Sequence, residues 1–513
     1  MALFIIGLII LIAGLGYSLF VSIQTIKNKV MQPIYKTLYT KLLISGGVYV
    51  LGLLLFLSGI HLWKDLGAGA FEWSFSLIFG FLFGVSSFGF IHGFLLHYYS
   101  KTIDEKNQKL LFIITMVCIP VVLISFLYAT NGYADYLEYP LYKVLNFNEG
   151  FIRGNEPNPS GLNLTFYALF ILSGAVFVYL LSDHKMYLEY GRHGILESTF
   201  LVAFPAGILG ARIFYVLGEL GHFIEIGFWQ HAFNFTEGGL TILGGAVTGV
   251  VVGVLWFRWR NKGLNVLIAA DIVVPAILIA QSVGRWGNFF NLEVYGYPVS
   301  VSSFSFLPKF ITSNMIYPAY TDADLGGYIS LEAGQMWMPL FFIEGLINLF
   351  GYFLLAHVFG KALRKYTELG DLTFGYIVWY GLTRVLLEPL RVKEYKMGTW
   401  SWYWSFAFVI VGILLIALNH LIRIELRKKN NTLVVRKYYE KLGLTSSISV
   451  IVVGLILSIV GIIMMANNSF EAKVVFDGFN IGLMLLMLGL AFFSALLLTL
   501  PYYIVGKKHV QKI

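Results

Sequence analysis

The chain holds one cysteine, Cys118, among its 513 residues, so no internal disulfide can form and no thiolate metal cluster can be built. Cys118 falls inside the apolar run from Leu110 to Ala129 and reads as a packing residue at lipid depth. Charge is scarce too: 12% of residues are Asp, Glu, Lys or Arg, 58% are hydrophobic, and mean hydropathy is +0.75. That balance excludes an ordinary soluble domain. No His, Cys or Asp cluster has metal-ligand spacing, so no metal or other cofactor is expected. What the sequence has in abundance is uninterrupted apolar stretches.

A helix needs roughly 20 mostly apolar residues to cross about 30 Å of hydrocarbon, and these runs are too long for barrel strands. Runs near 2–24, 40–61, 72–97 and 110–130 form a first group. Seven follow near 162–182, 195–219, 239–257, 264–284, 338–360, 372–388 and 402–422, then two near 446–466 and 479–503. The expected fold is therefore all-α and polytopic, with about thirteen transmembrane helices. The first run has no basic residue ahead of it and no convincing small-x-small cleavage site, so it is read as a retained span.

The domain reading is a four-span extension at 1–135 and a polar connection at 136–160, with a seven-span core at 161–424. A basic loop at 425–445 and a two-span extension at 446–513 complete it. Within the core one long loop, about 287–334, carries Asp322, Asp324 and Glu332. It is expected to form a small extracytoplasmic head, the other reading being an unstructured connection.

Lys and Arg accumulate in cytoplasmic loops, and alternate loops divide accordingly: 25 of the 36 basic residues fall on one side and eight on the other. The amino terminus is then outside and the carboxyl terminus inside. The net charge of +8 is a topology signal and nucleic acid is not an expected partner. Arg427-Lys428-Lys429 either touches anionic lipid or belongs to a solvated loop.

The remaining three basic residues, Arg212, Arg285 and Arg384, lie within or at the edge of spans, where charge is costly and marks a cavity, partner or substrate. Arg285, Asn288 and Asn291 are spaced three apart within Gly284-Arg285-Trp286-Gly287-Asn288-Phe289-Phe290-Asn291-Leu292-Glu293 and share a face if helical. Nearby glycines, Gly296 among them, leave room for a close backbone or a phosphate. Tyr380, Arg384, Glu388 and Arg391 fall on one helical stripe. Either this stripe binds an anion, for which a guanidinium is suited by its two parallel hydrogen bonds, or Arg384 and Glu388 only neutralise each other. Arg212 is explained as well by snorkelling to the interface. The double glycines of Glu237-Gly238-Gly239-Leu240-Thr241-Ile242-Leu243-Gly244-Gly245 serve close helix packing or a ligand. Glu344, beyond Pro339, is a lone carboxylate at the start of a span.

Together these segments resemble the prolipoprotein diacylglyceryl transferases, bacterial inner-membrane enzymes that use phosphatidylglycerol to lipidate prelipoproteins. The strongest likeness runs from Asp271 and Pro275 through Gln281 into Gly284-Arg285-x-Gly287-Asn288-Phe289-x-Asn291-x-Glu293-x-x-Gly296. Phe166-Tyr167-Ala168-Leu169, Gly210-Ala211-Arg212, the double glycines, Pro339 with Glu344, and Tyr380-Gly381-x-x-Arg384-x-x-x-Glu388-x-x-Arg391 follow in the family's order. The likeness covers roughly 160–423. One departure stands out: Leu243 replaces a histidine that is a natural proton handler. Ala168 and Ala211 replace glycines.

The resemblance implies transfer of the diacylglyceryl group of phosphatidylglycerol to a lipobox cysteine at the outer face of the cytoplasmic membrane. The expected partners are phosphatidylglycerol, prolipoprotein lipobox segments and membrane lipids. Arg285 and Arg384 would hold the phosphate, with Glu293 and Glu388 orienting them. Asn288, Asn291, Gly244, Gly245, Gly296, Arg212 and Glu344 would contact substrate, and Tyr167 and Tyr380 would bound the pocket. Because the sulfur belongs to the partner, the enzyme needs no nucleophile of its own. The alternative is an inactive relative acting as a lipid- or lipoprotein-binding scaffold, which Leu243 favours.

Overall fold

The computed structural model describes residues 2–27, 35–64, 70–100, 103, 105–131, 142–146, 150–153, 163–226, 232, 241–291, 293–307, 309–316, 331–392, 398–430, 444–468 and 478–491. Every apolar run identified in the sequence carries a helix, and the fold is all-α. Among the described residues, eight helices are long and apolar enough to cross a membrane, which fits a multi-pass membrane protein. The chain divides into two compact units, Met1–Glu197 with Pro308–Tyr317, and Ser198–Leu307 with Pro318–Ile513.

In the first unit α1 (Ala2–Lys27), α2 (Tyr35–Lys64), α3 (Ala70–Tyr99) and α4 (Glu105–Asn131) precede α5 (Phe166–Tyr190). Helices α1 and α2 meet through small residues: a Cβ on Gly14 would lie 2.6 Å from the backbone nitrogen of Tyr49. Such residues let membrane helices approach where lipid is as apolar as leucine and burial alone gives little drive. Helix α5, which the sequence reading assigns to the core, groups with the first unit. The Tyr98 hydroxyl donates to the Leu180 carbonyl at 2.8 Å, and Asp183 accepts from the Gly194 N–H at 2.8 Å and pairs with His193 at 2.8 Å. The connection expected at 136–160 contains strands β1 (Tyr142–Asn146) and β2 (Gly150–Arg153), which with β3 (Asn163–Thr165) form an antiparallel sheet in the order β2-β1-β3.

The second unit contains α6 (Glu197–Gly218), α7 (Ile242–Arg260), α8 (Val266–Phe290), α9 (Leu340–Phe353), α10 (Asp371–Leu387), α11 (Gly398–Lys429), α12 (Leu444–Ala466) and α13 (Gly478–Ala491). A π-helical stretch, Leu354–Ala362, continues α9. Helix α10 stops at 17 residues because Pro389 has no N–H to extend the ladder, and Glu388–Leu390 tightens into a 3-10 turn. The loop expected as a head carries β4 (Gly296–Ser300), which pairs antiparallel with β5 (Gln335–Met338) just beyond it. Asp322 and Asp324 lie outside the described residues.

Far along the unit from this hairpin, α10 is pinned at its first turn. The Asp271 carboxylate accepts from the Gly370 N–H at 2.7 Å, the Thr373 N–H at 3.0 Å and the Thr373 hydroxyl at 2.8 Å. Asp371 pairs with His420 at 2.6 Å and accepts from Asn419 at 2.9 Å. The two backbone bonds to Asp271 satisfy donors that a helix start leaves open.

Candidate active site

The site gathers where α8 ends, α9 begins and α10 runs out. Pro339 starts α9, which puts Glu344 on its second turn, and Gly345 lets α9 approach Ser282 of α8 closely. One Glu344 oxygen stands 2.5 Å from Nε of Arg285 and the other 2.7 Å from an Arg391 terminal nitrogen. Glu344 and Arg391 are almost fully buried, and charges there persist only when paired and hydrogen-bonded. The carboxylate also lies within electrostatic reach of Arg384.

A second set of bonds runs along the end of α8. Arg285 donates to Asn288 at 3.2 Å, and both Asn288, at 3.0 Å, and Asn291, at 3.2 Å, donate to one oxygen of Glu293. Glu293 thus reaches Arg285 through Asn288, while the direct partner of Arg285 is Glu344. Immediately afterwards Val294 adopts φ 59. A β-branched side chain in the left-handed region is strained, at a cost on the order of 1–3 kcal/mol, and the turn it makes leads the chain into β4.

Arg384 stands differently. It is 8% exposed, and its guanidinium carbon lies 5.8 Å from the ring centre of Tyr380, one turn back. Its Nη1 is buried with no hydrogen-bond partner among the described residues. Tyr376 adjoins it, accepting from Gln281 at 2.9 Å. Glu388 pairs with Arg391 at 3.6 Å; the intrahelical Arg384–Glu388 neutralisation allowed by the sequence is not the arrangement among the described ion pairs.

Arg391 is not on the helical stripe that the spacing suggests, because the chain leaves the helix at Pro389. It reaches Glu344 by pairing its backbone with Gly296 in an antiparallel bridge. Gly296 is small for that reason: a Cβ there would lie 2.8 Å from the Leu390 carbonyl oxygen. The sequence reading gave Arg391 no role; its sign was a third arginine within one turn of Glu388.

Arg212 is 2% exposed, which rules out snorkelling. Its Nε donates to the Ala232 carbonyl at 2.8 Å, and its guanidinium lies 5.6 Å and 5.5 Å from the ring centres of Tyr215 and Phe223. Gly244 and Gly245 pack α7 on α6: a Cβ on Gly244 would lie 2.7 Å from the Gly210 carbonyl oxygen, and one on Gly245 3.2 Å from that of Gly207. Leu243 lies in the first turn of α7. Gly238 and Gly239 fall outside the described residues. Tyr167 is on the first turn of α5, in the first unit.

No group of three or more His, Cys, Asp or Glu side chains arranged to hold a metal occurs among the described residues. The arrangement instead offers three guanidiniums around one carboxylate, with a buried donor to spare.

The family model described as prolipoprotein diacylglyceryl transferase matches residues 159–418. A phosphatidylglycerol–prolipoprotein diacylglyceryl transferase of Streptococcus suis (strain 05ZYH33) is 35% identical over 261 residues, 50% of this chain and 89% of its own length. The protein of that name from Clostridium novyi (strain NT) is 33% identical over 258 residues, 50% of this chain and 91% of its own. The one from Malacoplasma penetrans (strain HF-2) is 30% identical over 281 residues, covering 51% and 75%. Three buried or half-buried arginines around Glu344 thus lie within a segment that matches relatives along three quarters or more of their length, and the chain belongs to the prolipoprotein diacylglyceryl transferase family.

Proposed function

We propose that this chain transfers the diacylglyceryl group of phosphatidylglycerol to the lipobox cysteine thiol of prolipoproteins, the first step of bacterial lipoprotein maturation. The observation that carries the reading is the buried Arg384 Nη1 with no acceptor among the described residues, beside a carboxylate that already serves Arg285 and Arg391. A buried charged donor left unmade is costly, and a phosphate oxygen would satisfy it.

In the reaction the cysteine sulfur releases its proton to solvent and bonds to the phosphate-bearing carbon of the diacylglyceryl group. The bond from that carbon to the phosphate oxygen breaks, and glycerol phosphate departs. A phosphodiester with one negative charge becomes a monoester with two. Charge therefore develops on the leaving oxygen, where preorganised guanidiniums stabilise it most. Arg384 and Arg285 grip the phosphate. Glu344 and Asn288 fix Arg285, Glu293 holds Asn288, and Asn291 braces Glu293. Glu388 acts through Arg391, and Tyr380 bounds the pocket. The thirteen-span topology, with its head and amino terminus outside and carboxyl terminus inside the cytoplasmic membrane, puts this chemistry at the outer face.

The second reading, an inactive scaffold that binds lipid or lipoprotein precursor, is favoured by Leu243. Purified protein in phosphatidylglycerol vesicles with a lipobox peptide separates the two: the peptide should gain the mass of a diacylglyceryl group. No adduct, under conditions in which the Streptococcus suis relative forms one, would leave the scaffold.

A further inference from the structure

Arg285 and Arg391 are fixed by an ion pair with Glu344, but among the described residues no carboxylate stands at ion-pair distance from Arg384. Its position depends on how α10 is held. The next residue, Val385, is fully buried beneath Phe479, Leu483 and Met487 of α13, three residues at i, i+4 spacing that form one stripe, with Leu483 itself fully buried. The Val385 carbonyl would normally accept from the residue four positions on, which is Pro389 and has no N–H. The Trp402 indole takes that place at 3.1 Å, and its ring packs 6.2 Å from Phe479.

The helix that supplies this stripe is itself braced. A Cβ on Gly482 would lie 2.7 Å from the Gly461 carbonyl oxygen, and one on Gly489 2.6 Å from that of Gly454. Helices α12 and α13 therefore meet through small residues at a separation only glycine permits. The pair lies beyond residue 418, where the family match ends.

Building on the transferase reading, we infer that the C-terminal helix pair is a working part of the site, with Phe479, Leu483 and Met487 as positioning residues that hold Arg384 against the substrate phosphate. A displaced donor weakens the transition state more than the bound ground state, so the loss falls on kcat and little on KM.

The test uses the full chain. Leu483→Ala should lower kcat for peptide lipidation by about tenfold to a hundredfold with KM for phosphatidylglycerol little changed, and Leu483→Met should restore most of the rate. Phenylglyoxal modification of Arg384, followed by peptide mass, should speed up severalfold in Leu483→Ala. Leu96→Ala, a cavity in the first unit, should lower thermal stability without either effect. If Leu483→Ala does not accumulate, Met487→Ala at the edge of the stripe gives the same two readings with smaller amplitude. Unchanged kcat and unchanged Arg384 reactivity, or equal losses in Leu96→Ala, would overturn the inference. Should the unaltered protein transfer nothing, the transferase reading falls, and the Arg384 reactivity alone decides whether the pair positions this arginine.

Discussion

Gly296 and Arg391 form an antiparallel bridge that carries a guanidinium from beyond the end of its helix to Glu344. The bridge leaves no room for a side chain at Gly296, since a Cβ would lie 2.8 Å from the Leu390 carbonyl oxygen and 2.9 Å from the Met338 Cβ. Gly296→Ala should therefore cost about 1–3 kcal/mol of stability, the usual range for overpacking, and slow lipidation by moving Arg391. A variant as active and as stable as the parent would show that the bridge is not needed.

Glu344 serves two guanidiniums at once, so Glu344→Gln removes the charge and keeps the shape. Breaking a buried pair from one side costs about 3–5 kcal/mol. Thermal unfolding in detergent should show a fall of that order, and the lipidation rate should drop with it. Retained stability with lost activity would reassign Glu344 from holding the arginines to direct chemistry.

Val294 at φ 59 offers the opposite sign. Val294→Gly should raise stability by about 1 kcal/mol because glycine adopts this backbone freely. It should also lower kcat, because the freed turn no longer fixes Glu293 under Asn288. Gains in both quantities would mean that the strain has no part in placing Glu293.

The missing histidine is tested against the arginines. Removing one preorganised donor costs on the order of a hundredfold to a thousandfold in rate, so Arg384→Ala should be nearly inactive. Arg384→Lys, which keeps charge and loses the planar fork, should be clearly impaired. Leu243→His should then bring little gain. If the natural protein is inert and Leu243→His switches transfer on, the enzyme reading fails.

Orientation is read by labelling engineered cysteines in intact cells after Cys118→Ser. A cysteine placed at Asp322 should react with an impermeant reagent, and one placed at Lys428 only after lysis. The reverse pattern would invert the topology and move the site to the inner face.

The apolar runs made the long helices legible, because burial in lipid writes itself into composition, whereas the short helices Leu220–Ile226 and Lys309–Asn314 lie outside them. The Arg285, Asn288 and Asn291 spacing was legible as well, since it lies on and at the end of a regular helix. Glu344 looked weak on sequence because its partners come from α8 and from beyond α10, and no local periodicity reports a pairing between elements. Arg391 was assigned to a helix that Pro389 ends, although the missing N–H of a proline is itself a local signal. The strands at 142–165, and those at 296–300 and 335–338 by the segment read as a head, went unforeseen.

Asp271 grips the first turn of α10, while Arg384 lies about 20 Å further along the axis at 1.5 Å per residue. The helix is a lever with a fixed fulcrum. A tilt of about 5° at the gripped end would swing the arginine by almost 2 Å, more than the displacement of about 1 Å that can cost a hundredfold in rate. Substitutions at Asp271 or Thr373 should thus act at a distance, misaiming a guanidinium they never touch, with the error growing along the helix.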